Sequence, residues 1–147
     1  MQIAIGTDHA GVAWRDDVIR EVRSAGHDAI ECGSCTNTPV DYPDVARDVG
    51  EAVLGGRAER GILICGSGIG AAIAANKLRG IRAGVCHDCY SATQAVEHDD
   101  VNVLCLGARV IGPALATLIV RHFLSARFSG EPRHVRRLEK IRQLESS

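Results

Sequence analysis

The feature that most narrows the choice of folds is an alternation of two hydrophobic periods along the whole chain. Short, mostly apolar runs, "QIAIG" (2–6), "HDAIEC" (27–32), "RGILIC" (60–65), "RAGVC" (82–86) and "NVLCLG" (102–107), alternate with segments of helical period at roughly 11–25, 43–56, 69–79, 89–97 and 112–125. Runs apolar on both faces suit strands that are covered on both sides. Strand–helix alternation in turn implies right-handed crossovers between parallel strands. Gly26 and Gly80 stand where helices should end, and Pro43 and Pro113 stand in helix first turns.

The expectation is an α/β protein with one domain over residues 1–147. It is a Rossmann-like, three-layer α/β/α arrangement on a five-stranded parallel sheet, in the strand order 2-1-3-4-5. A last helix over 132–145 is extra to that pattern. It carries Val135, Leu138, Ile141 and Leu144 on one stripe amid dense charge. Such a helix packs on its own sheet or reaches across to another subunit.

Composition removes several classes of function. A chain of 147 residues holds one full core and is too short for two ordinary domains. With 46% hydrophobic and 24% charged residues it reads as a soluble globular protein. A formal net charge of −1 gives no footprint for nucleic acid or for an anionic membrane surface. No apolar run approaches the roughly 20 residues of a membrane helix, and the first residues enter a strand pattern directly, so the expected location is cytoplasmic. The cysteines include two C-x-x-C pairs, Cys32 with Cys35 and Cys86 with Cys89. Their separation far exceeds that of a zinc ribbon, so no metal is expected.

In open parallel sheets ligands bind beyond the carboxyl ends of the strands. The third strand leads into "CGSGIGAAIAANK", where Gly66, Gly68 and Gly70 bare the backbone beside Cys65 and Ser67. Three readings fit this stretch. One is a plain tight turn with a buried thiol. A second is a dinucleotide fingerprint, since Gly66, Gly68 and Ala71 match G-x-G-x-x-A, which would make the chain a small nucleotide- or NAD-binding regulatory module. The third is a cradle of backbone N–H groups for negative charge on a small substrate, with Cys65 as nucleophile or base. The second suffers because the fingerprint belongs after the first strand, where Asp8 would repel a pyrophosphate. Asp8 and His9 after the first strand, His98 and Asp99 before the fifth, and Arg133 with Arg137 on one face of the last helix complete the polar groups expected around one sheet edge.

Together these residues resemble the ribose-5-phosphate isomerase B family, which also includes the galactose-6-phosphate isomerase subunits. The likeness runs in order through "IGTDHAG", "DYPDVA", "GILICGSGIGAAIAANK", "EHDDVNVLCLGARVIG" and "PRHVRRLEKI". The resemblance implies an aldose–ketose isomerase that needs neither metal nor cofactor. It implies a homodimer, often paired into a homotetramer, with active sites shared between subunits and the last helix at the interface. By the same resemblance Cys65 is the base that moves a proton between C1 and C2 of the opened sugar, and Gly66, Ser67, Gly68, Ile69 and Gly70 hold the enediolate oxygen. His98 opens the ring, with Ser67 nearby; Asp8, His9, Tyr42 and Asp99 meet the sugar. Arg109, Arg133 and Arg137 meet the phosphate, and the partner subunit supplies the segment around His98 and Arg109. Ala71 stands where some members carry a glutamate base, which leaves Cys65 as the candidate. Asp99 stands where the family usually has asparagine; an ionised carboxylate only accepts hydrogen bonds. Ribose 5-phosphate is the leading substrate, with allose 6-phosphate, galactose 6-phosphate or a tetrose phosphate as alternatives.

Overall fold

The computed structural model describes residues 1–33 and 39–147. Cys35, half of one C-x-x-C pair, lies outside the described residues. Five strands, β1 (Gln2–Thr7), β2 (Asp28–Cys32), β3 (Arg60–Cys65), β4 (Ala83–Val85) and β5 (Val103–Gly107), alternate with α1 (Arg15–Ser24), α2 (Tyr42–Leu54), α3 (Ile69–Ala75), α4 (Cys89–Asp99) and α5 (Pro113–Ser125). The chain closes with α6 (Pro132–Glu145). A short 3₁₀ turn at Val12–Trp14 leads into α1.

All strand pairs are parallel, but their order is β2-β1-β3-β5-β4. The expected order 2-1-3-4-5 is therefore corrected at its last two places. Burial explains the exchange. Val103, Leu104, Cys105 and Leu106 of β5 are fully buried, as only an inner strand can be. β4 is three residues long, Ala-Gly-Val, and half exposed throughout, so it suits an edge.

The pleat divides the core in two. Ile3, Ile5, Ile62, Ile64, Leu104 and Leu106 point to the face covered by α1, α4 and α5, where Phe123 is fully buried. Ala4, Leu63, Cys65, Val103 and Cys105 point to the face covered by α2 and α3. This period of two is what sends Cys65 toward α2 and α3 rather than toward the larger cluster.

Helix α6 packs against α4. Of its apolar stripe only Leu138 is buried, whereas Val135, Ile141 and Leu144 stay exposed at 47%, 39% and 74%. Two more apolar side chains, Ile69 and Ile73 on α3, are also more than half exposed. No helix among the described residues is long and apolar enough to cross a membrane.

Candidate active site

The carboxyl end of β3 delivers Cys65, 6% exposed, at the start of the glycine turn. The Gly68 N–H donates to Cys65 Sγ at 3.1 Å, a bond that an anionic sulfur accepts more strongly than a neutral one. Gly68 adopts φ +81°, in the left-handed region, which is why glycine belongs there. Ile69 N–H donates to Ser67 Oγ at 3.2 Å. The N–H groups of Gly68 and Ile69 are therefore engaged inside the turn. Those of Ser67 and Gly70 make no hydrogen bond to any described residue.

The three glycines serve different ends. A β-carbon on Gly70 would lie 2.6 Å from the Tyr42 ring, so the missing side chain here makes room for the tyrosine. At Gly66 a β-carbon would meet the Arg109 side chain at an ordinary 3.7 Å. Only Gly68 is demanded by backbone conformation.

Around this turn gather Asp8, His9, Tyr42 and Arg109. Asp8 is 8% exposed, and its Oδ1 accepts from the N–H groups of Ala10 at 2.9 Å and Gly11 at 3.2 Å. It thus caps the turn into α1 while lining one narrow crevice with Tyr42, Cys65 and Ala71. His9 and Ser67 are exposed beside it, and Tyr42 is 43% exposed at the start of α2. The exit of β5 folds back over the turn: Ala108 N–H donates to the Cys65 carbonyl at 2.7 Å, and Arg109 N–H to the Gly66 carbonyl at 3.0 Å.

The other sequence candidates are elsewhere. His98 and Asp99 lie in the last turn of α4, not in a polar loop, and α4 runs antiparallel to the strands. A helix of this length is roughly 16 Å long, so His98 lies at the amino edge of the sheet, roughly 15 Å or more from Cys65 along the strand direction. The expectation of one common edge is corrected for a single chain. The joint segment of His98 and Arg109 also divides, because β5 crosses the sheet between them and leaves Arg109 against its own Gly66.

At the amino edge the His98 ring stacks on His134, with centroids 4.2 Å apart and planes at 27°. Gln94 Nε2 contacts His98 Nδ1 at 3.3 Å. His134 is 1% exposed, bonded through Nδ1 to Ser129 Oγ at 2.6 Å and through Nε2 to Arg133 Nε at 3.3 Å. Burial first, then the neighbouring His98 and Arg133, lower the His134 pKa below its ordinary 6.5. Arg133 pairs with Glu131 at 3.0 Å, and Arg137 is exposed one turn further along α6. Asp99 is exposed at the mouth of a hollow it lines with Ile141 and Leu144. Sequence reading missed His134, although "RH" sat inside a quoted motif; a buried histidine has no periodic signature.

Among the described residues no three His, Cys, Asp or Glu side chains are grouped to hold a metal ion. Cys32 ends an edge strand, while Cys86 follows the opposite edge strand and burial pushes its thiol up to about 11.

The family model for ribose/galactose isomerases matches residues 3–141 of this sequence. The chain belongs to the ribose/galactose isomerase family. Within that family, the ribose-5-phosphate isomerase B of Escherichia coli is 43% identical over 98% of this chain and 96% of its own length. The D-erythrulose-4-phosphate isomerase of Pectobacterium atrosepticum is 42% identical over 88% of this chain and 86% of its own. Among solved structures, the type B ribose 5-phosphate isomerase of Trypanosoma cruzi superposes with a TM-score of 0.97, at 47% identity and 99% coverage of both chains. The five-stranded parallel sheet with helices on both faces is thus the fold of this isomerase family.

Proposed function

We propose that the chain is a sugar-phosphate isomerase that interconverts an aldose and a ketose through an enediolate, with ribose 5-phosphate as substrate. The observation that carries this reading is the Cys65 sulfur held by the Gly68 N–H at the mouth of the turn, with the Ser67 and Gly70 N–H groups beside it. A C–H next to a carbonyl becomes acidic enough to lose its proton only when the growing oxyanion is stabilised; prealigned donors supply several kcal/mol of that. Cys65, as thiolate, takes the proton from C2 of the open-chain aldose. The electron pair moves toward C1, the C1 oxygen becomes the enediolate oxyanion, and Ser67 and Gly70 N–H groups receive it. The O2 hydroxyl proton passes to O1 while the proton held by Cys65 returns to C1, leaving the carbonyl at C2 and giving the ketose. The cysteine thus ends each turnover as it began.

Ring opening falls to His98, a sugar contact to Asp99, and phosphate binding to Arg133 and Arg137. About 15 Å within one chain is too far for a pentose phosphate to span both edges in reacting geometry. A second copy joins them, its amino edge against this carboxyl edge, and the working unit is a homodimer with two shared sites. The exposed Val135, Ile141 and Leu144 on α6 and Ile69 and Ile73 on α3 are apolar surface for that contact.

A tetrose phosphate is the second reading, favoured by Asp99 and by the erythrulose-phosphate name of a relative 42% identical. The test is turnover on a panel of phosphorylated pentoses, tetroses and hexoses, with NAD and AMP binding alongside, followed by deuterium uptake at C2 in heavy water. Ribose 5-phosphate is expected to turn over fastest and to exchange its C2 proton. Binding of NAD without any isomerisation would sink the proposal.

A further inference from the structure

Beyond Val85 the sheet loses a strand that β5 still needs. Val85 pairs with Cys105, and the Cys86 N–H reaches the Cys105 carbonyl at 3.3 Å, so position 87 stands level with Gly107. In a parallel ladder residues two apart present their N–H groups to the same side. Gly107 therefore aims its N–H at β4 where β4 has already ended. The His87 ring takes the missing place: Nε2 accepts the Gly107 N–H at 2.9 Å. A backbone N–H can only donate, so Nε2 is the bare nitrogen and the proton of the neutral ring resides on Nδ1.

What Gly107 starts, the Cys65 turn receives. The next two residues donate to the carbonyls of Cys65 and Gly66, at 2.7 and 3.0 Å. The Gly107 backbone itself abuts Ser67, closely enough that a β-carbon there would lie 2.7 Å from the Ser67 carbonyl. One side of the base-bearing turn is thus fixed by residues 107–109, and the first N–H of that segment is fixed by His87.

We propose that His87 is a positioning residue: acting through Gly107, it fixes the β5 exit that holds the Cys65–Gly66 turn in register. His87 itself touches neither sugar nor phosphate. This deepens the isomerase reading and rests on it wherever turnover is the readout; the hydrogen-bond chain is read from this structure alone.

The experiment compares His87→Phe, which keeps a ring and loses the acceptor, with His87→Gln, whose side-chain oxygen reaches the place of Nε2 and accepts. For ribose 5-phosphate, His87→Phe is expected to lower kcat about tenfold while KM changes less than about threefold. His87→Gln is expected to stay within about threefold of the parent. Amide hydrogen exchange at Gly107 and Ala108, followed by NMR, is expected to quicken in His87→Phe and not in His87→Gln. In the unaltered protein the His87 ¹⁵N signals are expected to report a proton on Nδ1, a measurement that needs no variant to fold. Parent-like kcat in His87→Phe, equal damage from both substitutions, or a neutral ring protonated on Nε2 would each overturn the proposal. If the parent isomerises no sugar phosphate, the function reading fails, and the exchange and ¹⁵N measurements still decide on His87.

Discussion

The two edges of the sheet are built by different means. At the carboxyl edge the chain builds with backbone: a strand end, a left-handed glycine and the exit of β5 fix the Cys65–Gly66 turn through bonds of 3.1, 2.7 and 3.0 Å. At the amino edge it uses side chains on two helices, a stacked histidine pair and two arginines one turn apart. The first edge orients the proposed base, Cys65, and N–H donors, with Arg109 beside the turn. The second offers guanidinium groups and a titratable ring without a base. On the proposed function each edge holds part of what an isomerase of phosphorylated sugars requires, and two-fold symmetry is the economical way to complete both.

The largest expected effect is at the backbone-built edge. Cys65→Ala should lower turnover at least about a thousandfold, because Cys65 is the proposed base for the C2 proton. The variant should still melt cooperatively, since a small apolar residue replaces a nearly buried thiol. Near-parent turnover would show that the carboxyl edge is not where the proton moves.

An intermediate effect is expected at the other edge. Hydrogen bonds to a charged group contribute about 1.5–3 kcal/mol each, so Arg137→Ala should raise KM for a phosphorylated sugar by roughly tenfold or more. Turnover at saturation should fall less, and an unphosphorylated sugar should be affected little. Equal weakening of both would make the α6 arginines structural and dissolve the contrast between the edges.

The smallest effect concerns pH. The His134 pKa is lowered in the folded protein by burial, His98 and Arg133, from 6.5. Between the lowered value and 6.5 the unfolded chain holds more protons than the folded one, so stability rises with pH through that window and is lost as pH falls below 6.5. The melting temperature should therefore drop from pH 7.5 to pH 5.5, and by less in His134→Gln. An unchanged drop would mean that the amino edge does not depend on a neutral His134.

The contrast between the edges also explains what could be read from the sequence. Strands and helices were legible because their periods are local, and the Cys65 turn because a glycine cluster after an apolar run is contiguous. The order of β4 and β5 was not, since both crossovers obey the same handedness; only the meagre "RAGVC" beside "NVLCLG" hinted at edge and centre. The shared edge expected for His98 and Cys65 fails within one chain although the clue is present: a residue just before a strand of a parallel sheet lies at its amino edge. His87 and His134 gave no signal. One stands in for a strand residue and the other is buried under a neighbouring ring, and both roles depend on contacts distant in sequence.

The central claim, that one site draws on two chains, is tested most directly by mixing two inactive variants. Cys65→Ala and His98→Asn, each nearly inactive alone, are unfolded together and refolded at equal concentration. In half of the resulting dimers, intact Cys65 of one copy faces intact His98 of the other in one of the two sites. The expected activity is about a quarter of the parent's. Activity no higher than that of the separate variants would contradict the account and return both halves of the site to a single chain.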